Sequence, residues 1–567
     1  MQADRSLLGS FRRVLGFAIA LAAVSATPAA AWDRAHSVGS NTGYADVKTA
    51  PATKAPITVP NLGSFAPGAG PVVASDGTVY LGNQQGKLIA LHADGSAAWS
   101  RDITPGHAIT ASPLVAPNGW IYVIGTMTFT DHRVNPPAKV TKSVLNIFTP
   151  GGGWVNQIPF PEHDGQGAAY GPLNLWRSGG NDVLMVTATY PNRVTGGYEI
   201  RLIAFGLGGE VVGDQKVTTV VQTVSGSADC MFPPFCFGFD HGVLSLDRIP
   251  AGVGLYTYQG GGTPAIVVSD GIKDLVGYTF DGTYFTERWR VHSDNYFLRS
   301  TPTILPDGHT IIGVEKITRK NGQEYGGGTG AILFAGPNMS SLPRVDGTGR
   351  VFTAPSVTGD GRAVLVSGDG DLVVLQGTQI AAKIGISNSS VASAAVSSTH
   401  VFVSMYDAFL SYDVNDLTEV GRINWVGGGK SSPAIGQNGY VYALASNILF
   451  VFPPAKGKQI DPGKVLVQPT DVVTVDPGQP STQPASQLYH PPLTTNGNRL
   501  FACLELDQDD CGKGDYKHVS LAWCQKQGYA KVNGYDVDSR KVKAETLDGK
   551  FCSKGKCKVF DSIRCEM

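Results

Sequence analysis

The chain repeats itself from about residue 71 to residue 452, and that repeat limits its possible folds more than any other feature. The clearest copy is Pro71 to Ile103, PVVASDGTVYLGNQQGKLIALHADGSAAWSRDI. Four short apolar runs are separated by Asp-Gly, Gln-Gly and Asp-Gly turns, so one copy reads as a four-stranded antiparallel meander. A single meander cannot bury its own faces. Copies recurring at this period therefore stack radially, which predicts an all-β propeller.

A small residue followed by proline opens the first strand of each copy, at Gly70-Pro71, Ser112-Pro113, Gly171-Pro172, Thr263-Pro264, Thr301-Pro302, Ala354-Pro355 and Ser432-Pro433. A degenerate copy opens at Ser393, where Ala394 replaces the proline. Successive anchors lie 42, 59, 92, 38, 53, 39 and 39 residues apart, one blade each wherever no insertion intervenes. The expectation is eight four-stranded blades, closed by residues 61 to 70 or by the chain near Phe452. With 71 glycines and only 16% charged residues, the chain is rich in turns and apolar enough for a large core. A formal net charge of −1 supplies no bulk field for nucleic acid or an anionic membrane.

Arg5, Arg12 and Arg13 precede the apolar run VLGFAIALAAV, and Ala29-Ala30-Ala31 offers a small-residue cleavage site before Trp32. Residues 1–31 thus read as a signal peptide, and the mature protein is expected in the periplasm or outside the cell, with no transmembrane segment. Residues 32–60 read as an extended segment, 61–453 as the propeller, 454–495 as a Pro-rich linker and 496–567 as a small Cys-rich domain. All eight cysteines lie in the mature part: Cys230 and Cys236 together, then Cys503, Cys511, Cys524, Cys552, Cys557 and Cys565. An even count in an exported chain points to disulfides. Six tail cysteines allow about fifteen connectivities. Cys552 and Cys557 lie near zinc-ligand spacing, but no matching pair or histidine follows, so no metal site is expected. Residues 518–529 read as a short helix burying Val519, Ala522 and Trp523, with Gly528 at its end.

Repeats of this form, with Trp99 closing the last strand, resemble the PQQ-like repeat of the quinoprotein dehydrogenase-like propellers. The likeness covers roughly residues 61 to 453 and implies the fold; the same repeat also builds non-enzymatic exported proteins. In its enzymes the resemblance implies pyrroloquinoline quinone and calcium, a vicinal cysteine pair over the quinone, Glu and Asn calcium ligands and an Asp base. No two cysteines are adjacent here, and no Cys-x-x-Cys-His haem site is present. The closing tryptophan persists at Trp289 and Trp425. No residue can be assigned a catalytic or cofactor-binding role.

Other chemistry is not written in the chain. The histidines form no His-Glu-x-x-His. Asp507 to Gly512 begins like a calcium loop but loses its register at Cys511. Insertions carry more information. The link between second and third strands expands at residues 126–142, 187–198 and 315–330, and a long excursion carrying Cys230 and Cys236 follows the third copy. In a four-stranded blade these links all emerge on one face of the disc, and loops on a rigid scaffold are where binding concentrates. Met231, Phe232, Phe235 and Phe237 surround Pro233-Pro234 within or beside the Cys230–Cys236 ring. They are either an exposed contact or a plug for the central channel. The reading is a non-catalytic binding or scaffold protein that meets an envelope protein or carbohydrate through this face. A quinone-dependent oxidoreductase of sugars or alcohols is the alternative, and a polysaccharide hydrolase or lyase the third.

Mass mapping of unreduced peptides should find a Cys230–Cys236 bridge and three bridges within residues 503–565. A bridge joining the two regions would contradict this.

Overall fold

The structure, a computed structural model, describes residues 32–566 except 38–39, 54, 132–137, 170, 179–180, 193–196, 221–251, 257–264, 307, 321–322, 326–328, 336–342, 387–391, 426–427, 430, 455–485, 490–491, 493–498, 504–512, 527–530, 541–543, 547–550 and 553–556. Eight antiparallel blades of four strands form a ring. In the first blade the strands are Val72–Val73, Val79–Gly82, Lys87–Leu91 and Ala97–Asp102. The turn glycines do what the sequence asks of them. Gly77, Gly86 and Gly95 have φ of 89°, 78° and 84°, and the Asp76 and Asp94 carboxylates accept the N–H of the residue two places on.

The two middle strands of the first blade are buried almost throughout, whereas its last strand alternates and is partly exposed. Middle strands are sandwiched between neighbouring blades, and the outermost faces water. A repeated tyrosine bolts one blade to the next. Tyr122 and Tyr442, on second strands, donate to the carbonyls of Leu207 and Ala93, in the next blade round, at 2.8 Å each. Trp99 ties the first blade to the second by donating to the Pro150 carbonyl at 2.9 Å, and Trp425 donates to Met405 within the seventh blade at 3.1 Å. Trp289 lies flat over Gly277, where an added Cβ would sit 2.2 Å from the indole.

The anchors owe their small residues to crowding at the axis. A Cβ on Gly70 would lie 2.3 Å from the Ser432 carbonyl oxygen of the eighth blade. Gly70 N–H in turn donates to the Ser112 hydroxyl of the second blade, and Ser393 N–H to that of Ser432.

Two details correct the sequence reading. In the fourth blade the first strand is Val253–Tyr256, so Thr263-Pro264 precedes the second strand, Ala265–Ser269. The excursion after the third blade is correspondingly shorter than that anchor suggested. The ring is closed by Ile57–Val59 rather than residues 61–70: this strand pairs antiparallel with Ile448–Phe452 as the outer strand of the eighth blade. The first seven blades draw their four strands from consecutive sequence, so the eighth is the one assembled from both ends.

Beyond residue 485 a helix, Lys513–Lys526, packs on a small sheet, with Val519, Trp523 and Cys524 in its core. The helix starts five residues earlier than the sequence suggested, and Ala522 is only half-buried. Cys524 pairs with Cys565 and Cys552 with Cys557; Cys503 is also disulfide-bonded. Cys230 and Cys236 lie outside the described residues. Among the described residues no helix is long and apolar enough to cross a membrane.

Because Ile57 is fully buried in the closing strand, Ile57→Ala should cost about 2–5 kcal/mol in denaturant unfolding. The half-exposed neighbour Thr58→Ala should cost well under half of that.

Candidate functional site

Each first strand begins on one face of the disc and runs toward the other. Links from second to third strands, and from one blade to the next, therefore share the face where first strands begin. The described long hairpins of the second, third and fifth blades lie there. On that face the residues just ahead of the first strands, among them Ala69, Ser112, Pro172, Thr301, Ala354 and Ser432, surround a cup at the axis. The cup encloses about 60 Å³. The repeat anchors are thus its wall.

Its floor comes from elsewhere. Residues 32–37 and 40–47 run along the channel at the opposite ends of the first strands, and their backbone meets blade after blade. The N–H groups of Val73, Val115, Ile304, Val357 and Val396 donate to the carbonyls of Trp32, Asp33, Ser40, Thr42 and Gly43 at 2.7–2.9 Å. Side chains reach the blades between. The Arg34 guanidinium donates to the Leu175 carbonyl and the Asn174 side chain in the third blade. Asn41 donates to the carbonyls of Val253 and Pro302 in the fourth and fifth. Tyr44–Ala45 then adds as a parallel fifth strand to the seventh blade. Trp32, Arg34, Ser37 and Asn41 are all buried.

His36 turns from this segment into the cup, with φ of 59° and its carbonyl accepting the Gly43 N–H. Burial drives its imidazole down from 6.5 to about 4, so the ring is neutral at physiological pH.

The insertions form an ordered platform where the second and third blades meet. The hairpin Ile121–Asp131 with Ala138–Phe148 and the hairpin Asn181–Asn192 with Gly197–Gly206 both outgrow an ordinary blade. The connector between these blades laces their bases together. Ser143 N–H donates to the Gly167 carbonyl, Thr126 Oγ1 to that of Ala169, and Ala168 and Thr189 exchange two backbone bonds. His163 in the connector contacts Asp214 at 2.7 Å and packs edge-on against Tyr190. Arg201 bridges Asp214 and Glu199. In the fifth blade the long link rises as its own small hairpin, Thr318–Lys320 with Gln323–Tyr325. A buried pair, Arg299 to Glu315 at 2.8 Å, pins its base.

Met231, Phe232, Phe235 and Phe237 lie outside the described residues. Sequence reasoning missed the segment 32–47: it carries no repeat, and its bonds are made by backbone. It also missed Tyr406, 54% exposed in the second-to-third turn of the seventh blade. An aromatic at a position where the first blade has Gln84-Gln85-Gly86 was the available signal. Among the described residues no three His, Cys, Asp or Glu side chains are grouped to hold a metal ion.

A quinone is larger than the described cup. Ligand sites of that class need about 300 Å³ or more, and the cup beside His36 offers about 60 Å³.

Lowering pH should therefore destabilise the protein through His36. The unfolded chain takes up the proton near 6.5 while the folded imidazole resists it to about 4, so stability falls across that window by at most about 3 kcal/mol. His36→Asn, which tolerates the left-handed backbone, should flatten this part of the profile in denaturant melts taken from pH 7 to 4.

No protein-family model matches the chain, and no curated protein matches it significantly. Some solved structures are similar to it over most of their length. The Dos1 propeller is 8% identical, with 73% of this chain and 97% of that one covered, at a TM-score of 0.46. BamB from Moraxella catarrhalis is 11% identical over 72% and 99%, at 0.39. A europium-containing methanol dehydrogenase is 12% identical over 73% and 89%, at 0.39. At these identities the likeness is one of ring architecture, and no residue role crosses with it.

Proposed function

We propose that this is an exported, non-catalytic binding or scaffold protein of the cell envelope, which contacts a protein or carbohydrate through its enlarged face. One observation supports this above the others. Residues 32–37 and 40–47 bond to the inner strands of the ring, while the face around the cup is built outward into long hairpins that offer a partner surface.

That face has the components of a contact. Tyr406 stands exposed, and the half-buried Phe129 ring lies under the Lys142 ammonium at 5.6 Å. The lacing between the second and third blades keeps Phe129 and Lys142 on a stiff base, so little freedom is lost there on binding. In this reading the Cys230–Cys236 segment, with Phe232 and Phe235, would complete the contact. Cleavage near Ala31 would deliver the protein to the periplasm or beyond, where its disulfides are stable.

Photo-crosslinkers placed at Phe129 and Tyr406 in cells should capture an envelope protein or a wall polysaccharide. Tyr406→Ala, and Phe232→Ala with Phe235→Ala, should each weaken that complex by about 1–3 kcal/mol and leave the melting temperature nearly unchanged. Saturable binding of pyrroloquinoline quinone with dye-linked oxidation of an alcohol or sugar would overturn the proposal. So would a large fall in melting temperature with binding intact.

A further inference from the structure

We propose that the propeller channel is a peptide-binding site, that residues 32–49 are its ligand within one chain, and that the same segment of a second copy can take their place. The inner strand of every blade has an edge facing the axis. In five blades the N–H group of that edge is satisfied by a carbonyl of the segment, from Val73 in the first blade to Val396 in the seventh. Recognition by backbone at strand edges is how extended peptides are captured generally. Two side chains add selectivity. Arg34 reads the Leu175 carbonyl and Asn41, seven residues on, reads those of Val253 and Pro302. The site therefore selects a segment that turns at Arg34–Ser37 and carries an arginine and an asparagine at that separation.

The ligand is separable from the ring that holds it. Every blade has its four strands without residues 32–49; Tyr44–Ala45 is a fifth strand on the seventh. The strand that closes the ring, Ile57–Val59, begins only after an exposed stretch at Thr53 and Ala55. A cut there severs the segment from the closing strand, although Trp32 and Ala45 share a core cluster with Ile57. A site built on the inner edges of one ring serves any copy of its own sequence equally, which is the condition for exchange between identical chains.

The test uses the full-length protein with a protease recognition sequence inserted between Thr53 and Ala55, folded and then cut. A fluorescent synthetic peptide of residues 32–52 is the probe. The cut protein should take it up with one-to-one stoichiometry, released native segment should appear by mass spectrometry, and uncut protein should take up at least ten-fold less in the same time. A peptide carrying Arg34→Ala and Asn41→Ala should bind at least ten-fold more weakly. A cut protein that takes up no probe overturns the proposal, whether the segment never leaves or the ring collapses when it does. Equal binding of the altered peptide overturns the assigned selectivity. Far-ultraviolet circular dichroism on the cut, washed ring distinguishes collapse from retention.

Discussion

Sheets arranged round an axis leave their innermost strands with one edge unpaired, and all these edges face a single narrow channel. Unsatisfied backbone groups in such a place are costly, because little water reaches them. Much of the architecture of this protein answers that constraint. The anchors carry glycine, serine, threonine and alanine because larger side chains would strike the backbone of the next blade, as at Gly70 against Ser432. Their hydroxyls take up N–H groups across blade boundaries, and residues 32–47 supply carbonyls to those that remain. The result is a channel completed by polypeptide.

This placement divides the disc into two unlike faces. Where first strands end, the segment forms a backbone floor. Where they begin, a small cup lies among long hairpins and connectors. The laced bases of the second and third blades and the Arg299–Glu315 pair of the fifth give that face rigidity at separate points round the ring. A buried ion pair adds little net stability against an apolar alternative, but it fixes the direction in which a hairpin leaves its blade.

The ring was legible because its determinants are local. Glycine after aspartate or asparagine and a small residue before proline each do a mechanical job that recurs round the ring, and repetition exposes them. The eight-blade count and the face of the insertions follow from those marks alone. The misplaced fourth anchor shows the limit, since Thr263-Pro264 has the right residues but sits before a second strand. Residues 32–59 were less legible for a different reason. Carbonyl groups are the same in every residue, so a segment that binds by backbone leaves no pattern, and Ile57–Val59 is too short to stand out. Tyr406 was visible only as an exception to the turns of the other blades.

Ile57–Val59 belongs to the eighth blade although it is synthesised before the first. The earliest part of the propeller to leave the ribosome is thus among the last to find its partner. Until Ile448–Phe452 exists, the closing strand must remain extended, and until it docks the eighth blade carries an open edge able to pair with any other chain. Contacts this distant in sequence form slowly. Folding of this protein is thereby exposed to aggregation at its seam, and a helper that shields the unfinished eighth blade would raise the yield more than one acting on any other.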